Sequence, residues 1–401
     1  MNYTAKEVMQ YIAEEDVKFI RLAFCDIFGK QKNISILHSE LERAFDTGIA
    51  IDASAILGFA DEAHSDLFLH PDPATLSELP WRPENGKVVR MYCTITYPDG
   101  RVFENDTRSI LIQAVKTAKE AGFHFAIGAE MEFYLFKLDD SGNPTKEPYD
   151  HASYMDVAPD DKCENVRREI CLTLEKMGIQ PESSHHEEGP GQNEIDFRYS
   201  DALSAADNAM TFQTVVKTIA AGNGLCADFS PKPLPDHPGS GLHINLSVNG
   251  DPENMQYMIA GILKYVSDMT IFLNPLEQSY WRLGVHKAPK YISWSNNNRS
   301  QLIRVPAAAG QYRRAELRSP DPSANPYIAF ALLVYAGLYG IQNKLELPEE
   351  SNVNLFTADY ETLSRFRILP QSVTAAAKLA QSSNFIASHL PEKLILGYCG
   401  Q

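Results

Sequence analysis

RLGVHKAPKYISWSNNNRSQLIRVPAAAGQYRRAELR, residues 282–318, is the segment from which the fold and the chemistry of this chain can be worked out. It holds eight cations and one acid, Glu316, whereas the whole chain of 401 residues has a formal net charge of −16. Arg314, Glu316 and Arg318 alternate with apolar residues, which predicts a strand with these three on one face. Arginine grips carboxylates and phosphates bidentately, so the segment indicates an anion site with a metal-binding carboxylate beside it. A solvated basic patch is the alternative for this segment taken alone.

Three stretches upstream show the same alternation of polar and apolar residues, which is typical of strands with one polar face. The strands are predicted at residues 125–136, 192–199 and 242–248, and their polar faces carry Glu130 and Glu132, then Gln192, Glu194, Asp196 and Arg198, then His243, Asn245 and Ser247. Glu187 lies in an acid-rich loop just before the second of them. One such strand is ordinary, but four strands with potential ligands and an arginine cluster indicate a shared site.

The carboxylates of these strands would repel one another strongly on one sheet face unless cations lay between them. Oxygen-rich ligation with a single imidazole suits Mg²⁺ or Mn²⁺ better than zinc. Active sites for phosphoryl transfer combine divalent metals with arginines, because the negative charge that develops on the phosphoryl group must be neutralised. From the residues alone we therefore predict a metal-dependent transferase or ligase that uses ATP, without a defined acceptor.

Length and composition limit the remaining possibilities. A chain of this length predicts two domains, and we place them at residues 1–103 and 104–401 because Asp106 is a helix N-cap after which the pattern changes to long strands. The acidic net charge argues against nucleic-acid and anionic-membrane partners. The polar N-terminus predicts no signal peptide, and six scattered cysteines without CxxC spacing predict reduced thiols in a cytoplasmic protein.

Residues 1–103 read as a small α+β unit. Thr4 and Glu7 form a capping-box pattern that predicts a helix ending near Glu15. Two strands follow, and we expect a further strand pair within residues 81–97. Asp52 lies among small residues, where a lone aspartate is by itself more typical of a turn than of a functional site.

Several segments, in this order and at this spacing, resemble the glutamine synthetase family, type I. They are GAEMEFYLF (128–136), HHEEGPGQNEIDFRY (185–199), GSGLHIN (239–245), NNNRSQLIRVP (296–306) and RRAELRSPDPSANPY (313–327). DIFGK (26–30), DLFLHPD (66–72) and LPWRP (79–83) resemble the N-terminal β-grasp domain of that family. The resemblance covers nearly the whole chain. It implies an α+β fold: a small β-grasp domain, then a large catalytic domain with a curved antiparallel sheet backed by helices.

The resemblance also implies a reaction. In that family the γ-carboxylate of glutamate attacks the γ-phosphate of ATP, and ammonia then attacks the γ-glutamyl phosphate to give glutamine, ADP and phosphate. The expected cofactors are ATP and two or three Mg²⁺ or Mn²⁺ ions per active site. The expected assembly is a homo-oligomeric ring, either a hexamer or a stacked double ring, with active sites between subunits.

The family motifs assign roles to individual residues of this sequence. The first metal would be held by Glu132, Glu187 and Glu194, and the second by Glu130, His243 and Glu316. Arg299 and Arg304 would neutralise the transferring phosphoryl group. Glutamate would be bound by Arg282, Arg318 and Gly239, and the nucleotide would lie by Lys232, Ser247 and Arg304. Ammonium would be bound by Asp52 of a neighbouring subunit.

Two departures from the family pattern concern the substrates. Lys287 stands where the family's flap carries a glutamate that helps to take a proton from ammonium, and a charged lysine would repel ammonium or an alkylammonium. His286 is a possible substitute base. Pro238 stands where the family usually has an asparagine that touches glutamate. The sequence also stops at Gln401, short of the family's C-terminal tail, so a single ring or a looser double ring is possible.

Three functions follow from this combination of motifs and departures. The first is an ATP-dependent glutamate–ammonia ligase. The second is a ligase that joins glutamate, or a related acid, to an organic amine, which the altered flap suggests. The third is a catalytically silent homologue that serves as a structural or regulatory ring, against which the complete metal and arginine set argues.

Overall fold

The computed structural model describes residues 3–59, 62–81, 86–307 and 313–400. Its N-terminal part begins with the predicted helix, because the Thr4 side chain accepts a hydrogen bond from the Glu7 backbone while the Glu7 side chain caps Thr4 in return. The elements of this part are α1 (Ala5–Glu14), β1 (Phe19–Cys25), β2 (Gln31–Leu37), α2 (Leu41–Asp46), β3 (Ile49–Asp52), β4 (Asp66–Pro71), β5 (Ser77–Glu78) and β6 (Val88–Thr96).

Within the described residues these strands form a sheet in the order β2-β1-β6-β4-β3, with β5 added beside β6. Strands β1 and β6 run parallel, and the other pairs run antiparallel. The prediction of a strand pair within residues 81–97 is wrong, because the described part of that range holds the single strand β6. This strand runs straight through the range and pairs with β1 on one side and with β4 and β5 on the other.

The second part of the chain begins at Asp106, which caps the next helix as predicted by accepting a hydrogen bond from the Arg108 backbone. Its elements are α3 (Thr107–Glu120), β7 (Phe125–Leu138), β8 (Pro144–Pro148), α4 (Glu164–Lys176), β9 (Pro181–His186), β10 (Gln192–Phe197), β11 (Ser200–Asp201), α5 (Ala202–Gly222), β12 (Leu225–Asp228), β13 (Leu242–Val248), α6 (Pro252–Leu273), α7 (Glu277–Arg282), β14 (Trp294–Asn296), β15 (Ile303–Val305), β16 (Ala315–Leu317), α8 (Pro326–Gln342), α9 (Tyr360–Leu363), α10 (Val373–Ser382), α11 (Asn384–His389) and α12 (Glu392–Cys399).

The described strands of this part form a second sheet in the order β14-β15-β16-β13-β7-β10-β9, and β8, β11 and β12 also pair with β7. The long strand β7 is therefore the centre of the sheet. Pairing is antiparallel, as the family resemblance implies, except that β14 and β15 run parallel. This order matters for function because it places the four strands with polar faces in one contiguous block.

Helices cover the apolar side of the second sheet. Helix α8 is buried along nearly its whole length, and it packs against α3 and α6. A side chain at Gly340 would place its Cβ 2.0 Å from the Tyr257 carbonyl oxygen of α6, so only glycine allows this crossing. The polar face opposite the helices is left for the site.

Buried polar contacts join the two parts of the chain. Arg108 donates to both Asp72 and Asp207 at 2.9 Å, and the Tyr92 hydroxyl lies 3.0 Å from that of Thr211. An arginine in a buried position requires such partners, because a lone charge there would be costly. Within the described ranges, no helix combines the length and apolar character needed to cross a membrane.

Candidate active site

Strand register brings together the three residues predicted for the second metal. Glu130 of β7 lies directly opposite His243 of β13, and Glu316 of β16 lies opposite Asn245, two residues further along β13. His243 Nδ1 is 3.3 Å from Glu130 Oε2 and 3.7 Å from Glu316 Oε1. Ligand atoms of Glu130, His243 and Glu316 all lie within 4.8 Å of one another, which is a spacing that one cation could bridge.

Two arginines flank Glu316, whose side chain is 1 % exposed. Arg304 pairs with it across β15 and β16 and donates from Nη1 to Glu316 Oε2 at 2.7 Å. Arg318 donates from Nη1 to the other oxygen, Glu316 Oε1. The buried Nε atoms of both arginines have no hydrogen-bond partner among the described residues, so this corner holds more donors than the protein's own acceptors satisfy.

The residues predicted for the first metal are divided between two adjoining groups, with Glu132 in one and Glu187 in the other. Glu132 of β7 lies opposite Glu194 of β10, and ligand atoms of these two residues and His243 lie within 4.8 Å of one another. Glu187 follows the end of β9, and its carboxylate, that of Glu194 and the ring of His185 form a second such group. Glu194 belongs to both groups and so connects them.

The charges of this group are not balanced by the protein. Burial raises the pKa of Glu132 and the nearby Glu187 carboxylate raises it further. Burial and the Asp196 carboxylate raise the pKa of Glu194 well above its usual value. Crowded carboxylates with raised pKa values are the electrostatic signature of a site that binds cations.

Glu130 behaves differently from its neighbours. Burial disfavours its charged form, but hydrogen bonds from His243 and Asn245 outweigh burial and lower the pKa of Glu130 to about 2. Burial and the Glu130 carboxylate in turn raise the pKa of Asp196 to about 6. The donor set of carboxylates and one imidazole therefore fits hard divalent cations.

The sequence motifs assigned no role to several side chains that complete the site. Gln192 donates to Glu132 Oε2 at 2.9 Å, and Asn245 donates to Glu130 Oε1 at 2.8 Å. Asp196 and His185 join the ligand groups. The available signal was the strand alternation itself, because Gln192, Asp196 and Asn245 each lie two residues from a predicted ligand and share its face.

Arg282 and Gly239, two of the three residues predicted to bind glutamate, lie beside Glu132, whereas Arg318 flanks Glu316. Arg282 is buried and donates from Nη1 to the Ser319 carbonyl oxygen at 2.8 Å. A Cβ at Gly239 would lie 2.3 Å from the Pro231 carbonyl oxygen, and one at Gly241 would lie 2.7 Å from Arg282 Nη2. Glycine at these two positions therefore keeps Arg282 close to the site.

Ser247 and Lys232, which are predicted to lie near the nucleotide together with Arg304, have different surroundings. Ser247 is half-buried on β13 and lines a small pocket with Arg313 and Arg314. Lys232 is buried and donates to the His237 carbonyl oxygen, and burial together with the charge of Arg282 lowers its pKa. Ser247 thus lies toward the basic segment and Lys232 toward the Arg282 side.

Arg299 and Asp52 are both exposed. Arg299 lies in the turn before β15. Asp52 is at the end of β3 in the other sheet, where hydrogen bonds from the Ser54 hydroxyl and backbone lower its pKa. Asp52 forms no ion pair with any described residue, and it lies outside the sheet that carries the ligand groups.

The two departures from the family pattern are close to this site. Lys287 pairs with Glu188, the neighbour of Glu187, so the segment 284–289 is tied to the acid-rich loop. His286 and Lys287 both have positive φ angles, of 46° and 67°, which is a strained conformation for residues other than glycine. The Pro238 carbonyl oxygen accepts a hydrogen bond from the Tyr134 hydroxyl at 2.6 Å.

Fold and site together define a metal-dependent enzyme that acts on anionic substrates. The family model described as "Glutamine synthetase, catalytic domain" matches residues 104–400, and "Glutamine synthetase, beta-Grasp domain" matches residues 16–98. The glutamine synthetase of Methanosarcina mazei is 45 % identical over 98 % of this chain and 92 % of its own length. That of Clostridium saccharobutylicum is 46 % identical over 88 % of this chain and 83 % of its own length. A solved structure described as a GmaS/ADP complex superimposes with a TM-score of 0.89 at 26 % identity, over 100 % of this chain and 94 % of that one.

The chain therefore belongs to the glutamine synthetase family. This confirms the predicted family, the α+β fold with an N-terminal β-grasp part, and the class of enzyme, a glutamate–ammonia ligase. Membership implies the use of ATP and divalent metal ions, and the clusters of carboxylates and histidine fit that requirement.

Proposed function

We propose that this protein ligates ammonia to the γ-carboxylate of glutamate, at the expense of ATP, with the predicted residues in the predicted roles. The observation that carries the proposal is the arrangement around Glu316, whose two carboxylate oxygens meet Arg304 and Arg318 while His243 and Glu130 complete a ligand group beside it. A metal ligand held inside an arginine clamp suits a phosphoryl group that carries several negative charges.

Glu130, His243 and Glu316 would hold one divalent cation, and Glu132, Glu187 and Glu194 would hold another. When bound, Mg²⁺ or Mn²⁺ supplies positive charge that neutralises phosphate oxygens and polarises the phosphoryl group. The protein's own contribution is to hold the ligands in register. Gln192 and Asn245 orient the carboxylates of Glu132 and Glu130 through their side-chain amides.

The arginines would divide the two anionic substrates between them. Arg299 and Arg304 contact the transferring phosphoryl group, and Arg282 and Arg318 contact glutamate near Gly239. The γ-carboxylate oxygen of glutamate forms a bond to the γ-phosphorus as the bond to ADP breaks. Preorganised cations at the place where negative charge develops lower the barrier, since they need not reorganise during the reaction. Lys232 and Ser247 lie toward the nucleotide in this proposal.

Ammonium must lose a proton before its nitrogen can attack the carbonyl carbon of γ-glutamyl phosphate and displace phosphate. Asp52 is the proposed binder of ammonium. Its exposure and its lack of an ion pair among the described residues suit a residue that completes the site of a neighbouring subunit. The assembly proposed is a ring, a hexamer or a stacked double ring, in which each site takes Asp52 from the next chain.

One observation favours a second candidate, in which the acceptor is an organic amine. Lys287 occupies the flap position where an acid is expected, and its ammonium group is paired with Glu188. The flap therefore lacks the acid that would take a proton from ammonium, and this absence is the reason to test acceptors other than ammonium.

Phosphate release from ATP, measured with glutamate and Mg²⁺ or Mn²⁺, tests both candidates. Ammonium is compared with a panel of primary amines, and wild type with Asp52→Ala. Turnover with ammonium that falls strongly in Asp52→Ala supports glutamine synthesis. Turnover with an organic amine alone moves the protein to the second candidate. Absence of turnover with every acceptor, also in Lys287→Glu, overturns both and favours a silent ring.

A further inference from the structure

A buried polar network lies directly behind the loop that carries Glu187, and none of the roles above uses it. Its centre is Asp150, which is 2 % exposed, and His186, which is fully buried. His186 Nε2 lies 2.8 Å from Asp150 Oδ1, and His186 Nδ1 lies 2.7 Å from the Glu187 carbonyl oxygen. The imidazole therefore connects the Asp150 carboxylate to the backbone of Glu187.

The same carboxylate oxygen also holds the far end of that loop. The Gly191 backbone N–H donates to Asp150 Oδ1 at 3.0 Å, while the Glu187 backbone N–H donates to the Gln192 carbonyl oxygen at 2.8 Å. One oxygen atom thus contacts the residues that flank segment 187–190 on both sides. We call these contacts of Asp150 with His186 and Gly191 the Asp150 clamp.

The other oxygen anchors the clamp to the start of α4. Asp150 Oδ2 accepts hydrogen bonds from the Lys162 backbone N–H at 2.9 Å and from Cys163 Sγ at 3.2 Å. Hydrogen bonds to a charged acceptor are stronger than those between neutral groups, and the low dielectric of a buried site strengthens them further. The position of the loop is therefore defined relative to a rigid helix.

The network is not itself a metal centre. Ligand atoms of Asp150, Asp161, Cys163 and His186 lie within 4.8 Å of one another, but the carboxylates are already satisfied by N–H donors. Arg167 donates from Nη2 to Asp161 Oδ2 at 2.6 Å, and both ring nitrogens of His186 lie within hydrogen-bonding distance of oxygen acceptors, so the imidazole has no nitrogen free for a cation. A clamp of hydrogen bonds explains these contacts.

We propose that Asp150 and His186 are positioning residues that hold the Glu187 carboxylate ready for its metal ion. This inference rests on the proposed function, in which Glu187 is a metal ligand. Residues behind the ligands that fix their orientation commonly contribute 10- to 100-fold to metal affinity. Without the clamp the loop would have to be ordered by the metal itself, at the expense of binding free energy.

Mn²⁺ titration of the full-length protein, followed by the electron paramagnetic resonance signal of free Mn²⁺, tests the proposal. Asp150→Ala is expected to weaken Mn²⁺ binding about 10- to 100-fold. Asp150→Asn keeps an Oδ1 acceptor for Gly191 and should lie nearer to wild type. The matched control is Asp207→Asn, which changes another buried carboxylate that pairs with Arg108 and makes no contact with the loop. It should lower the melting temperature and leave Mn²⁺ affinity unchanged.

A double variant separates positioning from general loss of structure. Asp150→Ala added to Glu187→Ala should cause no further loss of Mn²⁺ affinity, because both changes act on one ligand. Mn²⁺ affinity that stays at the wild-type value in both Asp150 variants, with only the melting temperature lowered, overturns the inference. Failure of the proposed metal role has a different signature: wild type that does not bind Mn²⁺, or Glu187→Ala that binds it as wild type does.

Discussion

Glu130 and His243 face each other across the pair of strands β7 and β13, with His243 Nδ1 at 3.3 Å from Glu130 Oε2. The two residues are far apart in sequence, and the register of the two strands makes them neighbours in space. The same register places Asn245 beside Glu316 and so extends the site to the arginines.

Removal of this imidazole should impair catalysis far more than it impairs folding. In His243→Ala the Glu130 and Glu316 carboxylates lose the group between them, and the proposed second cation loses a ligand. We expect the rate of phosphate release to fall about 100-fold. His124→Ala, which removes an exposed histidine just before β7, is the control and should keep wild-type activity. A His243→Ala enzyme with wild-type turnover would contradict the proposed role of His243.

Thermal stability should depend on pH and metal together. Burial and Glu130 raise the pKa of Asp196 to about 6, from a usual value near 4, so the folded protein favours the protonated carboxyl group. The metal-free protein therefore loses this stabilisation as the pH rises through the interval from about 4 to about 6. A divalent cation restores the balance of charge once the carboxylates are ionised.

The measurement is the melting temperature with and without Mn²⁺ at pH 5 and at pH 7.5. The increase caused by Mn²⁺ should be larger at pH 7.5, because ligands must be deprotonated to bind. Comparison of the two increments removes the pH dependence of all groups that the metal does not touch. Equal increments at the two pH values would refute this electrostatic account.

Asp52 and Glu316 should complement each other between subunits. If each site combines Asp52 of one chain with Glu316 of the next, Asp52→Ala and Glu316→Gln chains are each inactive alone. Random mixed rings, formed by dissociating and reassembling equal amounts, should recover about one quarter of wild-type activity, because one of four combinations at each interface is intact. Reassembly of each variant alone is the control. Mixed rings without activity would argue against a shared site.

Lys287→Glu should change the response to ammonium. The variant breaks the pair with Glu188 and replaces a cation at the entrance with an acid, which attracts ammonium. The KM for ammonium should fall roughly threefold to tenfold, a modest effect because the position is exposed. Lys137→Glu disrupts a comparable exposed pair with Glu147 and should not alter this KM. A KM that stays constant or rises would show that Lys287 does not govern admission of the acceptor.

Much of the site could be predicted because strand alternation is a local property. The strand predicted at residues 242–248 has those same bounds in the structure, and β7 and β10 begin at the predicted residues. Alternation assigns each side chain to a face, so Glu130, Glu132 and His243 could be named before any pairing was known. The prediction of a strand pair within residues 81–97 was wrong because the partners of β6 lie elsewhere in the chain, which local sequence does not reveal.

The Asp150 clamp shows where this reasoning stops. Asp150 lies outside the described strands, and its partners His186 and Gly191 come from a different part of the chain. A buried hydrogen-bond network has no sequence period, so nothing near Asp150 indicates that it contacts the Glu187 loop. The same holds for Lys287 and Glu188, which meet because two loops approach each other.

The sequence by itself determined the class of fold, the family and the chemistry available, because motifs, strand alternation and helix caps are encoded in neighbouring residues. Only the tertiary structure decided which carboxylates lie close to one another, which arginines flank Glu316 and which buried side chains contact the Glu187 loop. The ligand groups depend on strand order and register, which bring residues as far apart in sequence as Glu130 and His243 to within hydrogen-bonding distance. That proximity makes the carboxylates repel one another, and the repulsion makes the group suited to binding cations.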